Sequence, residues 1–88
     1  MTSEEFKAIC RGKGYALPKQ VSFEALSRSV SHTHDQVSFV YVLEGEFILN
    51  TPAGRTCYGA GETCLLDADV EHAEEAGPSG AVILVARK

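Results

Sequence analysis

The sequence predicts an all-β domain, a small antiparallel jelly roll or β-barrel carrying one short N-terminal α-helix. Three observations lead there. From Val21 onward the chain breaks into short apolar or alternating runs of strand length. Turn-forming stretches at Thr51-Pro52-Ala53-Gly54, Gly59-Ala60-Gly61 and Gly77-Pro78-Ser79-Gly80 separate them at the even spacing of small sandwiches and barrels. Helical periodicity is confined to the residues before Gly12. A chain of 88 residues has room for a single domain, 1–88, with the helix at about 3–11 and the barrel at about 20–87.

The elements follow in order. Thr2 and Glu5 have the spacing of a capping box, with Glu4 and Glu5 at the positive end of the helix dipole. Phe6, Ile9 and Cys10 then share one face, and Gly12 and Gly14 end the helix. Three turns are too few to stand alone in water, so the helix must lie against a sheet. Val21, Phe23 and Ala25 alternate with Ser22 and Glu24. Val37 to Leu43 is almost wholly apolar, as in a strand covered on both faces, and is interrupted at Glu44-Gly45-Glu46 before Phe47 to Leu49 resumes. Thr56 to Tyr58 and Thr63 to Leu66 read as a hairpin about the Gly59-Ala60-Gly61 turn. The turn at Gly77 to Gly80 separates His72 to Ala76 from a last strand, Ala81 to Ala86. Phe39, Tyr41 and Leu43 project opposite to Ser38, Val40 and Val42, so they face the helix, a second sheet or another subunit. A homodimer is therefore expected alongside the helix-covered alternative.

Composition narrows the partners. A net charge of −4 argues against nucleic acid or an anionic membrane surface, and no apolar run approaches the length of a membrane span. The acidic N-terminus lacks an apolar signal core, and three cysteines do not pair evenly. Both favour a cytoplasmic chain with reduced thiols. Cys57 and Cys64 flank the Gly59-Ala60-Gly61 turn symmetrically, which in a hairpin would oppose them as a redox pair; otherwise they are small buried hydrophobes.

The three histidines carry the chemistry. His32 and His34 are two apart in a strand-like stretch, so both imidazoles leave the same face about 6.5–7 Å apart and can share one metal ion. His72, far along the chain, would bring a third nitrogen from a neighbouring strand. Gln36 and Ser38 share the parity of the histidine pair, and Glu74 that of His72, so these three could touch a metal-bound water or substrate. Spacing alone also allows His-x-His as a solvated surface feature.

The flanking residues add a resemblance. His32-Thr33-His34, Ser38 and Tyr41-Val42-Leu43-Glu44-Gly45 resemble the first motif of the cupin superfamily, and Gly61 through His72 is similar to the opening of its second. The resemblance covers about residues 20 to 88. It implies a small jelly roll, a mini-cupin, usually dimeric, with one divalent metal inside and His32, His34 and His72 as ligands. Several positions depart from the family: Ser38 stands where it has a glutamate, Asp67 and Asp69 where it has proline and glycine, Leu26 where it has a glycine, and Ala76 where it has an asparagine. A three-histidine site is still chemically coherent, as in cysteine dioxygenases, which lack that glutamate. It would suit zinc, iron, nickel, manganese or copper.

Asp67, Asp69, Glu71, Glu74 and Glu75 form an acidic run with no lysine or arginine between Arg55 and Arg87. As a solvated turn it does nothing; as the mouth of the site it would attract cations and disfavour anionic ligands. Three functions remain open on the residues alone. One is a small metalloenzyme, a dioxygenase or isomerase, acting on a small neutral or cationic molecule. The others are a non-catalytic sensor or binding module, and a metal-free structural jelly roll.

Overall fold

Thr2 and Glu5 close the start of the helix on each other. In the computed structural model, which describes residues 1–88, the Thr2 hydroxyl accepts from the Glu5 N–H at 3.1 Å and the Glu5 carboxylate accepts from the Thr2 N–H at 2.9 Å. Helix α1 (Ser3–Gly12) follows this capping box, and Phe6 and Cys10 bury its apolar face.

The rest is an antiparallel sheet of five strands, β1 (Lys19–Phe23), β2 (Ser38–Thr51), β3 (Gly54–Gly59), β4 (Thr63–Leu66) and β5 (Ala73–Arg87). The strands run in the order β1-β5-β2-β3, with β4 also on β2. The β2–β5 ladder is the spine, from Ser38 opposite Arg87 to Asn50 opposite Ala73. Two short strands share the other edge of β2: β4 beside Ser38 to Tyr41, and β3 beside Glu46 to Thr51. The expected hairpin of residues 56–66 is thereby corrected. β3 and β4 pair with β2 rather than with each other, because β2 bends between the two stretches and offers each its own length of that edge. Cys57 lies opposite Ile48 and is exposed, whereas Cys64 lies opposite Val40 and is buried, so the two thiols do not face one another as a redox pair.

Two expected breaks are bends inside continuous strands. Glu44-Gly45-Glu46 and Gly77 to Gly80 lie within β2 and β5, and the pairing register shifts there through bulges. Gly45 and Gly80 both have φ +76°, and a Cβ on Gly45 would run into the Gly80 carbonyl oxygen. Each bulge reverses which parity faces inward. Along β2, Val40 and Val42 face the interior before the bend, and Phe47 and Leu49 after it. Along β5, Ala76 gives way to Ala81, Ile83 and Val85.

Those residues form the main core with Cys64 and Leu66. A second, smaller core lies on the outer face, where Phe6 and Cys10 of α1 pack on Tyr41, Leu84 and Ala86, flanked by Tyr15, Phe39 and Leu43. The helix of this same chain thus covers the aromatic face of β2.

Before β2 the chain runs antiparallel to the start of β5 without forming a regular strand. Its ties are Leu26 N–H to Gly77 O, Ala76 N–H to Ser27 O, Ser29 N–H to Glu74 O, and a reciprocal pair joining His32 and His72 at 2.8 and 2.9 Å. Asp69 N–H then reaches His34 O at 2.7 Å. These bonds bring residues far apart in sequence to one end of the barrel. No helix is long and apolar enough to cross a membrane.

Candidate metal centre

The backbone bridge between His32 and His72 sets their rings side by side, with centroids 4.3 Å apart; the His34 ring lies 5.0 Å from the first and 5.1 Å from the second. Two of the rings are oriented by backbone carbonyls. Nδ1 of His32 donates to Val30 O at 2.7 Å, and Nδ1 of His72 donates to Val70 O at 2.9 Å. That arrangement turns both Nε2 atoms into the barrel, the orientation in which metal-bound imidazoles are commonly held. His72 is buried and His32 and His34 are half-buried.

Glu74 completes the group. One of its carboxylate oxygens lies 3.0 Å from Nε2 of His32 and 3.4 Å from Nε2 of His72. Donor atoms from His32, His34, His72 and Glu74 all lie within 4.8 Å of one another. A tetrahedral ion with bonds of about 2.0–2.1 Å sets its donors about 3.4 Å apart, a contraction within reach of side-chain rotation. Three nitrogens and one carboxylate oxygen are a donor set that borderline transition ions accept. The residues present therefore fit a metal. Glu74 brings a carboxylate to this group from β5, whereas Ser38 on β2 has none.

Arg87 is the site residue that the sequence reading did not single out. It is the last residue of β5 and lies directly opposite Ser38. Its Nε donates to Ser38 Oγ at 3.2 Å, and its Nη2 donates to His34 Nε2 at 3.4 Å. Burial holds His34 below the usual histidine range, and the Arg87 guanidinium adds to the effect. The available signal was parity: Arg87 alternates with the inward Ile83 and Val85.

The histidines, Glu74 and Arg87 line one end of a cavity of about 160 Å³. Its other walls are apolar, including Val21, Phe23, Phe47, Leu49, Ile83 and Val85. Cys64 also lines it, but burial, with Glu74 adding to it, pushes that thiol up to about 12. At neutral pH it stays a thiol in the metal-free chain.

The remaining expected site residues fall outside this group. Gln36 is exposed and absent from the cavity wall, because the chain bends at Asp35 and Gln36 and the parity of the histidine pair ends there. The acidic run disperses. Glu71 accepts from the Ser31 hydroxyl at 2.8 Å, Glu75 accepts from Asn50 at 2.6 Å and lies 3.5 Å from Arg55, and Asp67 and Asp69 are exposed. Only Glu74 turns inward.

No family model and no curated protein matches the chain. Solved structures do. An RmlC-like cupin from Shewanella frigidimarina superposes with a TM-score of 0.71 at 22% identity, over 81% of this chain and 63% of its own. A cupin-2 domain-containing protein from the same organism gives 0.70 at 23%, over 82% and 70%. KdgF from Halomonas sp. gives 0.68 at 19%, over 81% and 66%. The chain has the cupin fold. It spans about two thirds of the length of these cupins, as the 63% and 66% figures state.

The cupin backbone persists where the cupin glycines are missing. Leu26 (φ 60°) and Asp69 (φ 63°) are the two non-glycine residues with positive φ, and both stand at positions where the family resemblance places glycine. For an L-residue this conformation costs about 1–2 kcal/mol, against about 0.5–1 kcal/mol for the extra freedom glycine loses on folding. Leu26 is 75% exposed, so little burial is lost on truncation. Leu26→Gly should therefore stabilise the fold by about 0.5–1 kcal/mol, read as a melting temperature roughly 2–8 °C higher.

Proposed function

We propose that this chain is a small cupin that holds a divalent transition ion on His32, His34 and His72, with Glu74 as fourth donor, and admits a small molecule to the adjoining cavity. One observation carries the reading: two backbone-oriented imidazoles and one carboxylate aim their donor atoms at the same point, with a third imidazole beside them. A bound ion would supply a Lewis acid able to polarise a ligand. Zinc, iron, nickel, manganese and copper all suit such donors. Dioxygenase or isomerase chemistry is the catalytic form of this proposal, and ligand sensing is the other.

Elemental analysis of protein purified without a histidine tag tests it. About one equivalent of a transition metal is expected, falling below about one tenth in His34→Ala. A wild-type content below about one tenth, unchanged by that substitution, would instead support the metal-free reading. One contact favours that second reading: Arg87 already donates to the His34 nitrogen that an ion would need.

A further inference from the structure

We infer that the ligand of this cavity is a small carboxylate, received by the Arg87 guanidinium beside Ser38. The inference deepens the metal-site proposal and rests on it for the position of the ion, but the anion subsite has observations of its own. Arg87 is the one lysine or arginine in the cavity wall, and it is half-buried. The ion pairs of the chain join Lys7 to Glu4, Arg55 to Glu75, and Glu74 to His32 and His72; Arg87 belongs to none of them. Its two hydrogen bonds go to neutral acceptors, Ser38 Oγ and His34 Nε2, which leaves its charge without a counterion. A cation withdrawn from water into a largely apolar cavity is ordinarily paired, and the planar guanidinium fork matches a carboxylate in both shape and charge.

Charge balance points the same way. At the position where cupins have a glutamate, this chain has Ser38, and the group bonded to Ser38 is a cation. With a divalent ion on the histidines, the charges of Glu74 and Arg87 cancel. The ion's double charge is then left for the ligand to meet. An anion satisfies both the ion and Arg87, whereas a cationic or neutral molecule satisfies neither. The expectation that an acidic mouth would repel anions falls away, because Glu71 and Glu75 are engaged elsewhere and Asp67 and Asp69 face solvent.

Size and polarity define the rest of the ligand. An apolar cavity of about 150 Å³ accommodates benzene, so about 160 Å³ suits a molecule of roughly six to ten non-hydrogen atoms. Beyond Arg87 the walls are Phe23, Phe47, Leu49, Ile83 and Val85, which suits a short apolar body behind the carboxylate.

The test uses butyrate and butyramide, which match in size and differ in charge. Each is titrated into the full chain, metal-free and zinc-loaded, with binding followed by backbone and arginine side-chain NMR. Butyrate should bind saturably, at least about tenfold tighter than butyramide, as expected for a charge-assisted hydrogen-bonded pair. In the metal-free chain Arg87→Met should abolish that preference, and Arg87→Lys should keep part of it, since the charge remains without the fork. Well-dispersed spectra from both variants would exclude misfolding as the cause. Equal binding of the two probes, a preference that survives Arg87→Met in the metal-free chain, or no saturable binding in either form would overturn the inference. Zinc uptake by the same samples reports separately on the metal proposal. An Arg87-dependent butyrate preference in protein that takes up no zinc would sustain the anion subsite and overturn the metal reading; stoichiometric zinc without any preference for the acid would do the reverse.

Discussion

Gly45→Ala should lower the melting temperature by at least about 15 °C, the largest stability effect expected of any single methyl group in this chain. A positive φ costs an alanine about 1–2 kcal/mol before any contact is considered. The added methyl would also overlap the Gly80 carbonyl oxygen, which is backbone and cannot rotate aside. Relief requires β2 and β5 to separate at the bend they share, on the longest ladder of the sheet. A total cost of about 4 kcal/mol follows, in a domain whose whole stability is about 4–13 kcal/mol by the usual per-residue scale. Each kcal/mol moves the midpoint of a domain this size by about 4–8 °C. Gly12→Ala is the control: it lies at the end of α1 with nothing near its would-be Cβ, and should change stability by no more than about 1 kcal/mol. Circular dichroism melts of the two variants decide the matter. A Gly45→Ala protein melting within a few degrees of the parent would mean that the two glycines are not locked together.

The same pair of glycines explains which parts of the fold were legible. Helix α1 was readable because its cap is local: Thr2 and Glu5 satisfy each other's backbone within one turn. The inward faces of Val40 and Val42 and the outward faces of Phe39 and Tyr41 follow from alternation within one unbroken stretch. Gly45 and Gly77 to Gly80 resemble turns in sequence, since glycine and proline serve turns and bulges alike. Only the partner strand decides between them, and each partner here bends at the same place. The error over β3 and β4 has the same origin. Tyr58 and Thr63 flank a tight glycine turn that would suit a hairpin, but the edge of β2 opposite β5 is long enough for both, and each strand takes its own stretch of it.

At the site, the histidines were legible because their spacing and the flanking Tyr41 to Gly45 stretch identify them. Glu74 was legible by parity with His72, though only the fold places its oxygen against two imidazoles. Arg87 required knowing that Ile83 and Val85 face inward, and that Ser38 lies opposite it. Gln36 failed for the opposite reason. Parity extends along extended chain only, and the bend at Asp35 and Gln36 ends it.

Zinc should raise the melting temperature of the parent protein by roughly 10–30 °C, and Glu74→Gln should remove about a third of that gain or more. The first figure follows from linkage. An ion that binds the folded state at 100 to 1,000 times its dissociation constant adds about 2.7–4.1 kcal/mol, at about 4–8 °C per kcal/mol for a domain of this length. The second separates two accounts of the missing cupin glutamate. If the site runs on three imidazoles alone, Glu74 is no ligand, and an amide in its place should leave the shift within a few degrees of the parent. If Glu74 is the displaced fourth donor, its charge is what the ion loses. Affinity should then fall about 10–100-fold, equivalent to about 1.4–2.7 kcal/mol at fixed zinc. Ser38→Ala should leave the zinc shift nearly intact, because the Ser38 hydroxyl is occupied by Arg87 rather than turned to the histidines. His34→Ala should abolish the shift, since a ligand nitrogen is gone and no other donor stands nearby to replace it. A zinc response lost in Ser38→Ala but kept in Glu74→Gln would return the fourth position to β2 and contradict the reading in which β5 supplies it.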